Sequence, residues 1–280
     1  RCCATGMAMR AACAVPHGSG RIEMKDKFAF GLGLVQEAGT LALSYFNARD
    51  TLTIASKGPQ DLASEADLNT ELLIRDRLAK AYPQDAFLGE ETAPTHYTAG
   101  QGIWVVDPID GTQPFILGMT SWCVSIAYMQ DGIVQFGMVF APARDELFAG
   151  GFDIPATLNG KPIHVSTARS VREGITYAGY SPKSGPHEFL PGFTRLLERG
   201  GMFYRDGSGA LGLCYVAAGR LVGFFEPLIR SWDALGAIAV CEGAGARVSD
   251  FLANDGLFRG NSLIVAPPSV YGEIEEIVKG

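Results

Sequence analysis

The stretch Asp107-Pro108-Ile109-Asp110-Gly111-Thr112 holds the residue types best suited to chemistry. It follows an apolar run, Ile103-Trp104-Val105-Val106, whose pattern predicts a buried strand. Paired carboxylates at a strand end repel each other, and a dry core does not hold them ionised without a cation or solvent. Pro108 fixes one φ, and Gly111 permits a backbone turn that a Cβ hinders. The N–H groups after such a turn can meet an anion. Carboxylates for a hard cation thus sit beside amides for a phosphate, the equipment of a Mg²⁺-dependent phosphatase. The remaining ligands must come from elsewhere in the chain.

Gly89-Glu90-Glu91 is the second candidate. Alone, an adjacent Glu pair reads as a solvated turn. Its place after the short predicted strand 86–88, and upstream of Asp107 and Asp110, favours a site. A third acid, Asp233 in Trp232-Asp233, opens an apolar helical pattern running to Val240.

The elements that must position these acids fall into two halves. The first opens with an amphipathic helix over 25–47, on Phe28, Leu32, Val35, Ala42 and Phe46. A strand-like 51–55 and a turn-rich loop, Lys57-Gly58-Pro59-Gln60-Asp61, follow. Ser64 or Asp67 starts a helix that Pro83 stops. After the central stretch, strands over 122–128 and 133–140 flank Asp131-Gly132, a hairpin signal, and 146–149 extends the antiparallel sheet. Asn159-Gly160 marks another turn. In the second half, strands at 175–178, 202–204, 221–225 and 263–266 alternate with helices at 188–198, 207–218, 232–240 and from Pro267 onward. Glu226 ends the third of these strands.

Net charge is −7, and no basic stripe stands out, which argues against nucleic acid as main partner. No apolar run nears the roughly 18 residues that span a bilayer. Hydrophobic residues at 47% and charged residues at 19% indicate a globular chain of 280 residues with a real core. Residues 1–24 carry Cys2, Cys3 and Cys13 without the apolar core of a signal peptide. Helical patterning starts after Met24, so 1–24 reads as an extension of uncertain origin and Met24 as the natural start. Cys123, Cys214 and Cys241 lie in apolar surroundings, forming no CxxC pair, and point to reduced thiols and a cytoplasmic protein. The four histidines pair with no Ser or Cys in a nucleophile motif, and no GxSxG occurs.

Taken together, Gly89-Glu90-Glu91, Asp107-Pro108-Ile109-Asp110-Gly111-Thr112 with Phe115, Trp232-Asp233 before a helix, and the Lys57…Asp61…Asp67 spacing resemble the inositol monophosphatase family of lithium-sensitive sugar phosphatases. The resemblance spans essentially 25–279. It implies a layered αβαβα fold mixing α+β and α/β character, with an antiparallel-sheet N-terminal half and an α/β C-terminal half. One catalytic unit over 25–280 is expected, with sub-halves of about 25–165 and 166–280. The resemblance further implies that Glu90, Asp107 and the Ile109 carbonyl hold one Mg²⁺, and that Asp107, Asp110 and Asp233 hold a second. Glu90 reaches a third, weaker ion through water. Thr112, oriented by Asp67, positions a metal-bound water as nucleophile, giving Thr112, Asp67 and Glu90 the catalytic roles. Asp110, Gly111, Thr112, Ala210 and Glu226 form the expected substrate contacts. Lys57 reads equally as a solvated loop lysine or as a balance of charge near the ions.

The implied activity is a phosphoric monoester hydrolase for a small polyol or sugar-like phosphate, inositol 1-phosphate first and histidinol phosphate as the alternative. A 3′-phosphonucleotide or fructose 1,6-bisphosphate fits less well. A rival reading is a phosphate-ligand binding or regulatory protein that kept the scaffold. A homodimer and Li⁺ inhibition come with the resemblance. The chain departs from the family's usual run at Gln113-Pro114 and at Glu242-Gly243-Ala244-Gly245, neither of which removes a ligand. The segment 179–191 is a candidate specificity loop.

Overall fold

The computed structural model describes residues 19–58 and 61–280, leaving the side chains of 19–22 and 56–62 outside the described set. The expected extension 1–24 therefore lies largely outside the described residues, as do the side chains of Lys57 and Asp61. The first helix, α1 (Ser19–Asn47), begins before Met24 rather than after it. β1 (Ile54–Gly58) and β2 (Asp61–Ser64) pair antiparallel, so Lys57, Gly58 and Asp61 of the expected loop belong to strands, and Pro59 and Gln60 lie outside the described residues. Ser64 caps α2 (Glu65–Ala81) and Asp67 completes a capping box.

A seven-stranded sheet follows in sequence order: β3 (Ala86–Gly89), β4 (Ile103–Asp110), β5 (Cys123–Gln130), β6 (Ile133–Ala141), β7 (Glu146–Gly151), β8 (Ile154–Leu158) and β9 (Lys161–Pro162). Only β3 and β4 run parallel; the other neighbours are antiparallel. The β5–β6 turn uses Asp131 and Gly132 at φ 53° and 75°, as its Asp-Gly sequence requires. Between β4 and β5 lies a short helix, α3 (Thr112–Ile116). β4 does not end at Val106: it continues through Pro108 to Asp110, absorbing the proline in a bulge between Asp107 and Asp110.

The second sheet has the order β11-β10-β12-β14-β13. It comprises β10 (Ile175–Ala178), β11 (Met202–Tyr204), β12 (Gly223–Ile229), β13 (Arg247–Val248) and β14 (Asn261–Ala266). Its helices are α4 (Pro186–Glu198), α5 (Gly209–Ala217), α6 (Ser231–Gly243), the single turn α7 (Gly256–Arg259) and α8 (Pro268–Lys279). β12 runs on past Glu226 to Ile229, again through a bulge, so Glu226 lies within the strand rather than at its end.

The layers follow from which faces are apolar. α1 and α2 pack on one face of the seven-stranded sheet, burying Trp104, Trp122, Tyr128 and Phe136. α6 packs on its other face and also against α5, which reaches the second sheet. Nearly every side chain of α5 and α6 is buried, as expected of helices sandwiched between sheets. α4 and α8 cover the outer face of the second sheet over Leu196, Val270 and Ile274. The layering is αβαβα. Among the described residues, no helix is long and apolar enough to cross a membrane.

Candidate active site

The two sheets and the α5–α6 layer meet at a cleft of about 800 Å³. β3 and β4 run parallel in register, with Gly89 opposite Val106, so their ends set Glu90 beside Asp107. α6 brings Asp233 in its first turn. One carboxylate oxygen from each of Glu90, Asp107 and Asp233 lies within 4.8 Å of the others. Asp107 is only 1% exposed. Burial raises its carboxyl well above the ordinary range, and Glu90, Asp233 and Asp110 push it further. Asp233 is raised too, by burial, against hydrogen bonds from Asp107 and the Arg230 backbone. Carboxylates this close stay together either protonated or around a cation. A donor set made only of oxygen suits a hard ion such as Mg²⁺, Mn²⁺ or Ca²⁺.

Asp110 stands apart from this group. Its Oδ2 accepts from Ser208 Oγ at 2.5 Å and from the Ala210 amide at 2.7 Å, at the start of α5. Burial, then Asp233, pushes its carboxyl up to about 7 against those hydrogen bonds. The converging set among the described residues therefore holds Glu90, Asp107 and Asp233, and Asp110 faces it with one oxygen committed to α5. Ala210, expected among the substrate contacts, is fully buried next to Gly209 of the cleft wall. Its contribution is the amide that anchors Asp110.

Gly111 turns the chain from β4 into α3 at φ 94° and ψ 42°, left-handed values that glycine tolerates. A Cβ there would come within 2.6 Å of the Ser121 carbonyl. The turn sets Thr112 Oγ1 3.1 Å from Asp67 Oδ1 and 3.2 Å from the Ile109 carbonyl. Asp67 is fully buried. Its Oδ2 accepts from both the amide and the hydroxyl of Ser64, at 2.8 and 2.7 Å. Burial raises its carboxyl, and the Ser64 bonds oppose the shift. Asp107 Oδ1 in turn accepts from the Ile109 amide at 2.9 Å, which fixes the bulge.

Glu71 was not singled out in the sequence. It projects from α2, is fully buried, and accepts from the amides of Glu91 at 2.8 Å and Thr92 at 2.7 Å. These amides follow Glu90 directly, so Glu71 clasps the turn that carries it. Gly89 makes room: a Cβ would lie 2.4 Å from the Glu71 carboxyl. The only local signal is an acid on the buried face of a helix, four residues after Asp67. Glu226 lines the cleft from β12. Burial, with Asp233 next, pushes its carboxyl up to about 8, while Arg205 pulls it down.

Residues 24–279 match the family model described as the inositol monophosphatase family. The Nus factor SuhB of Haemophilus influenzae is 32% identical over 254 residues, covering 90% of this chain and 95% of that protein. The crystal structure of extragenic suppressor protein suhB from Bartonella henselae is similar at a TM-score of 0.83 and 29% identity, covering 93% of this chain and 99% of that one. The crystal structure of inositol monophosphate bound SaIMPase-II is similar at a TM-score of 0.73 and 25% identity, covering 90% and 92%.

Proposed function

This chain belongs to the inositol monophosphatase family, and from that premise we propose that it is a Mg²⁺-dependent phosphomonoesterase. Its substrate is a small polyol or sugar-like phosphate, inositol 1-phosphate first and histidinol phosphate next. The observation that carries this reading is the convergence of Glu90, Asp107 and Asp233 oxygens within 4.8 Å, next to the Thr112–Asp67 pair. In this reading Glu90, Asp107 and the Ile109 carbonyl would hold one ion, and Asp107, Asp233 and Asp110 would hold a second. When bound, Mg²⁺ supplies Lewis acidity that acidifies water and neutralises phosphoryl charge. The chain's own residues orient the reactants. Thr112 Oγ1, giving its proton to Asp67, keeps a lone pair to accept the hydrogen of the attacking water. Asp67 holds that hydroxyl in place because its other oxygen is pinned by Ser64. The Gly111 and Thr112 amides meet phosphate oxygens, and Glu226 bonds a hydroxyl of the leaving group.

Water attacks directly, without a phosphoenzyme, because these groups position reactants rather than present an activated side-chain nucleophile. The bound ligand of SaIMPase-II supports the substrate class. The same reading takes 25–280 as one catalytic unit, working as a homodimer in a reducing cytoplasm; the buried free thiols Cys123, Cys214 and Cys241 support the compartment. The name Nus factor, carried by the Haemophilus influenzae relative, favours a second reading in which the scaffold serves binding. Phosphate release with Mg²⁺ from inositol 1-phosphate, histidinol phosphate, fructose 1,6-bisphosphate and a 3′,5′-bisphosphonucleotide separates the two. Turnover of one ester far above the rest names the substrate; no release from any supports the binding protein.

A further inference from the structure

One guanidinium outside the cleft touches both chain segments that flank Asp110-Gly111-Thr112. Arg144 ends the short turn Pro142–Arg144 between β6 and β7. Pro142 presets the φ at the start of that turn, and Asp145 leaves it at φ 54°. Asn159 pins the exit: its Nδ2 donates to the Asp145 carbonyl at 2.6 Å, and its Oδ1 accepts from the Leu147 amide at 2.8 Å. From this fixed base the three nitrogens of Arg144 reach three partners. Nε donates to the Thr120 carbonyl at 3.0 Å, and one terminal nitrogen donates to the Tyr215 hydroxyl on α5. The other terminal nitrogen lies 3.8 Å from Asp206 Oδ2.

Each partner leads to the carboxylate end of the cleft. Thr120 precedes Ser121, whose carbonyl backs Gly111 and whose hydroxyl donates to the Asp206 carbonyl at 3.1 Å. Asp206 Oδ2 also accepts from the Tyr204 hydroxyl at 3.0 Å, and its Oδ1 lies 3.5 Å from the Ser208 amide. Ser208 and Ala210 then hold Asp110. The stretch 205–208 lies outside any helix or strand and carries Gly207 at φ 98°, so no ladder of its own stiffens its backbone. A planar guanidinium suits this place, because its donors point in fixed, separate directions, whereas an ammonium is a point charge. The Asp206 side chain is only 8% exposed, so solvent screens this contact less than a surface pair.

We infer that Arg144 is a positioning residue for ester hydrolysis, locking 120–121 to 206–208 so that Asp110 keeps its place facing the other carboxylates. The inference rests on the phosphatase reading and extends it to a residue that does not line the cleft. Arg144 acts through Ser208 and the Gly111 turn. Arg220 supplies the contrast: it approaches the same Tyr215 ring, at 5.2 Å, but its ion pair is with Glu146.

The test compares Arg144→Lys, which keeps the charge and loses the fork, with Ser208→Ala, the double variant and Arg220→Lys, all as full chains. In metal-free protein, hydrogen exchange over 205–211 quickens about tenfold in Arg144→Lys while 268–279 in α8 stays unchanged. With the ester that the wild type turns over fastest, the half-saturating Mg²⁺ concentration rises and kcat/KM falls, each about tenfold, the latter mostly through kcat. The double variant loses no more than about twofold beyond the worse single variant, because both act on one anchor. Additive losses of about a hundredfold overturn the inference. So does Arg144→Lys with wild-type exchange or wild-type Mg²⁺ half-saturation. An equal loss in Arg220→Lys assigns the effect to packing around Tyr215 and overturns it too. If Arg144→Lys does not fold, Asp206→Asn takes its place: faster exchange over 205–211 supports the clamp, and unchanged exchange overturns it. Absence of release from every ester by the wild type refutes the phosphatase reading instead. Exchange and calorimetric Mg²⁺ binding then decide the clamp alone: faster exchange with weaker Mg²⁺ binding in Arg144→Lys supports it, and any other result overturns it.

Discussion

Substituting Glu71→Gln should weaken metal binding although Glu71 touches neither metal nor substrate. Its carboxylate is fully buried and takes two backbone hydrogen bonds, from Glu91 at 2.8 Å and Thr92 at 2.7 Å. Gln keeps the shape but turns one acceptor into an NH₂ group that faces an amide donor. One hydrogen bond to a charged group is lost, worth about 1.5–3 kcal/mol, and the orphaned amide adds to the loss. The turn relieves this by moving, and Glu90 moves with it. Groups that orient metal ligands typically change affinity or activity by about 10–100-fold when altered. The half-saturating Mg²⁺ concentration should rise by that factor, while kcat at saturating Mg²⁺ recovers much of its value. Mg²⁺ titrations of phosphate release, paired with calorimetry and a thermal melt, separate this from general unfolding. A stable Glu71→Gln protein with unchanged Mg²⁺ half-saturation would refute the role assigned to the clasp.

Three other predictions follow from the same geometry. Thr112→Val should lower kcat by about 10²–10⁴-fold, the usual contribution of a positioned proton acceptor, with Mg²⁺ affinity little changed, as single-turnover assays will read. In metal-free protein, stability should fall as pH rises from about 4 towards 7–8, by up to about 1.4 kcal/mol per pH unit for each extra bound proton. The sign follows because Asp107, Asp110 and Glu226 are raised by burial and so bind protons in the native state that the unfolded chain has released. Melts at graded pH check it, and saturating Mg²⁺ should flatten the slope, since the ion favours the ionised form. Ser208→Ala should loosen Asp110 by removing the 2.5 Å contact, lowering kcat/KM about tenfold, in line with the loss of one hydrogen bond to a charged group.

The strongest local signals translated directly into structure. Asp131-Gly132 is a hairpin because Asp and Gly supply the positive φ values. β11 spans 202–204 as its pattern indicated, and Ser64 and Asp67, both read as possible helix starts, are two ends of one capping box. The extent of β4 was not legible, because Pro108 has no N–H to give a ladder and only pairing with β5 shows the bulge that carries the strand onward. β12 ran past Glu226 for the same reason. The acids that line the cleft carry local marks: a strand end or a glycine adjoins Glu90, Asp107 and Asp110, and a helix start carries Asp233. Their second partners carry none: Asp110 is held by Ser208 and Ala210, and Glu71 holds the turn after Gly89, through contacts between residues far apart in the chain. No local pattern marks such pairs, since only the packing of α2, α5 and the sheet brings them together.

Phosphate release by the wild-type chain and by Asp107→Asn, each with and without Mg²⁺, bears most directly on the central claim. Asp107 contributes an oxygen to the converging group and accepts from the Ile109 amide, and Asn is nearly the same shape. Release by the wild type that depends on Mg²⁺, together with a folded Asp107→Asn protein that releases none, is the predicted result. Comparable rates for the two proteins, or equal wild-type release after chelation of Mg²⁺, would contradict it.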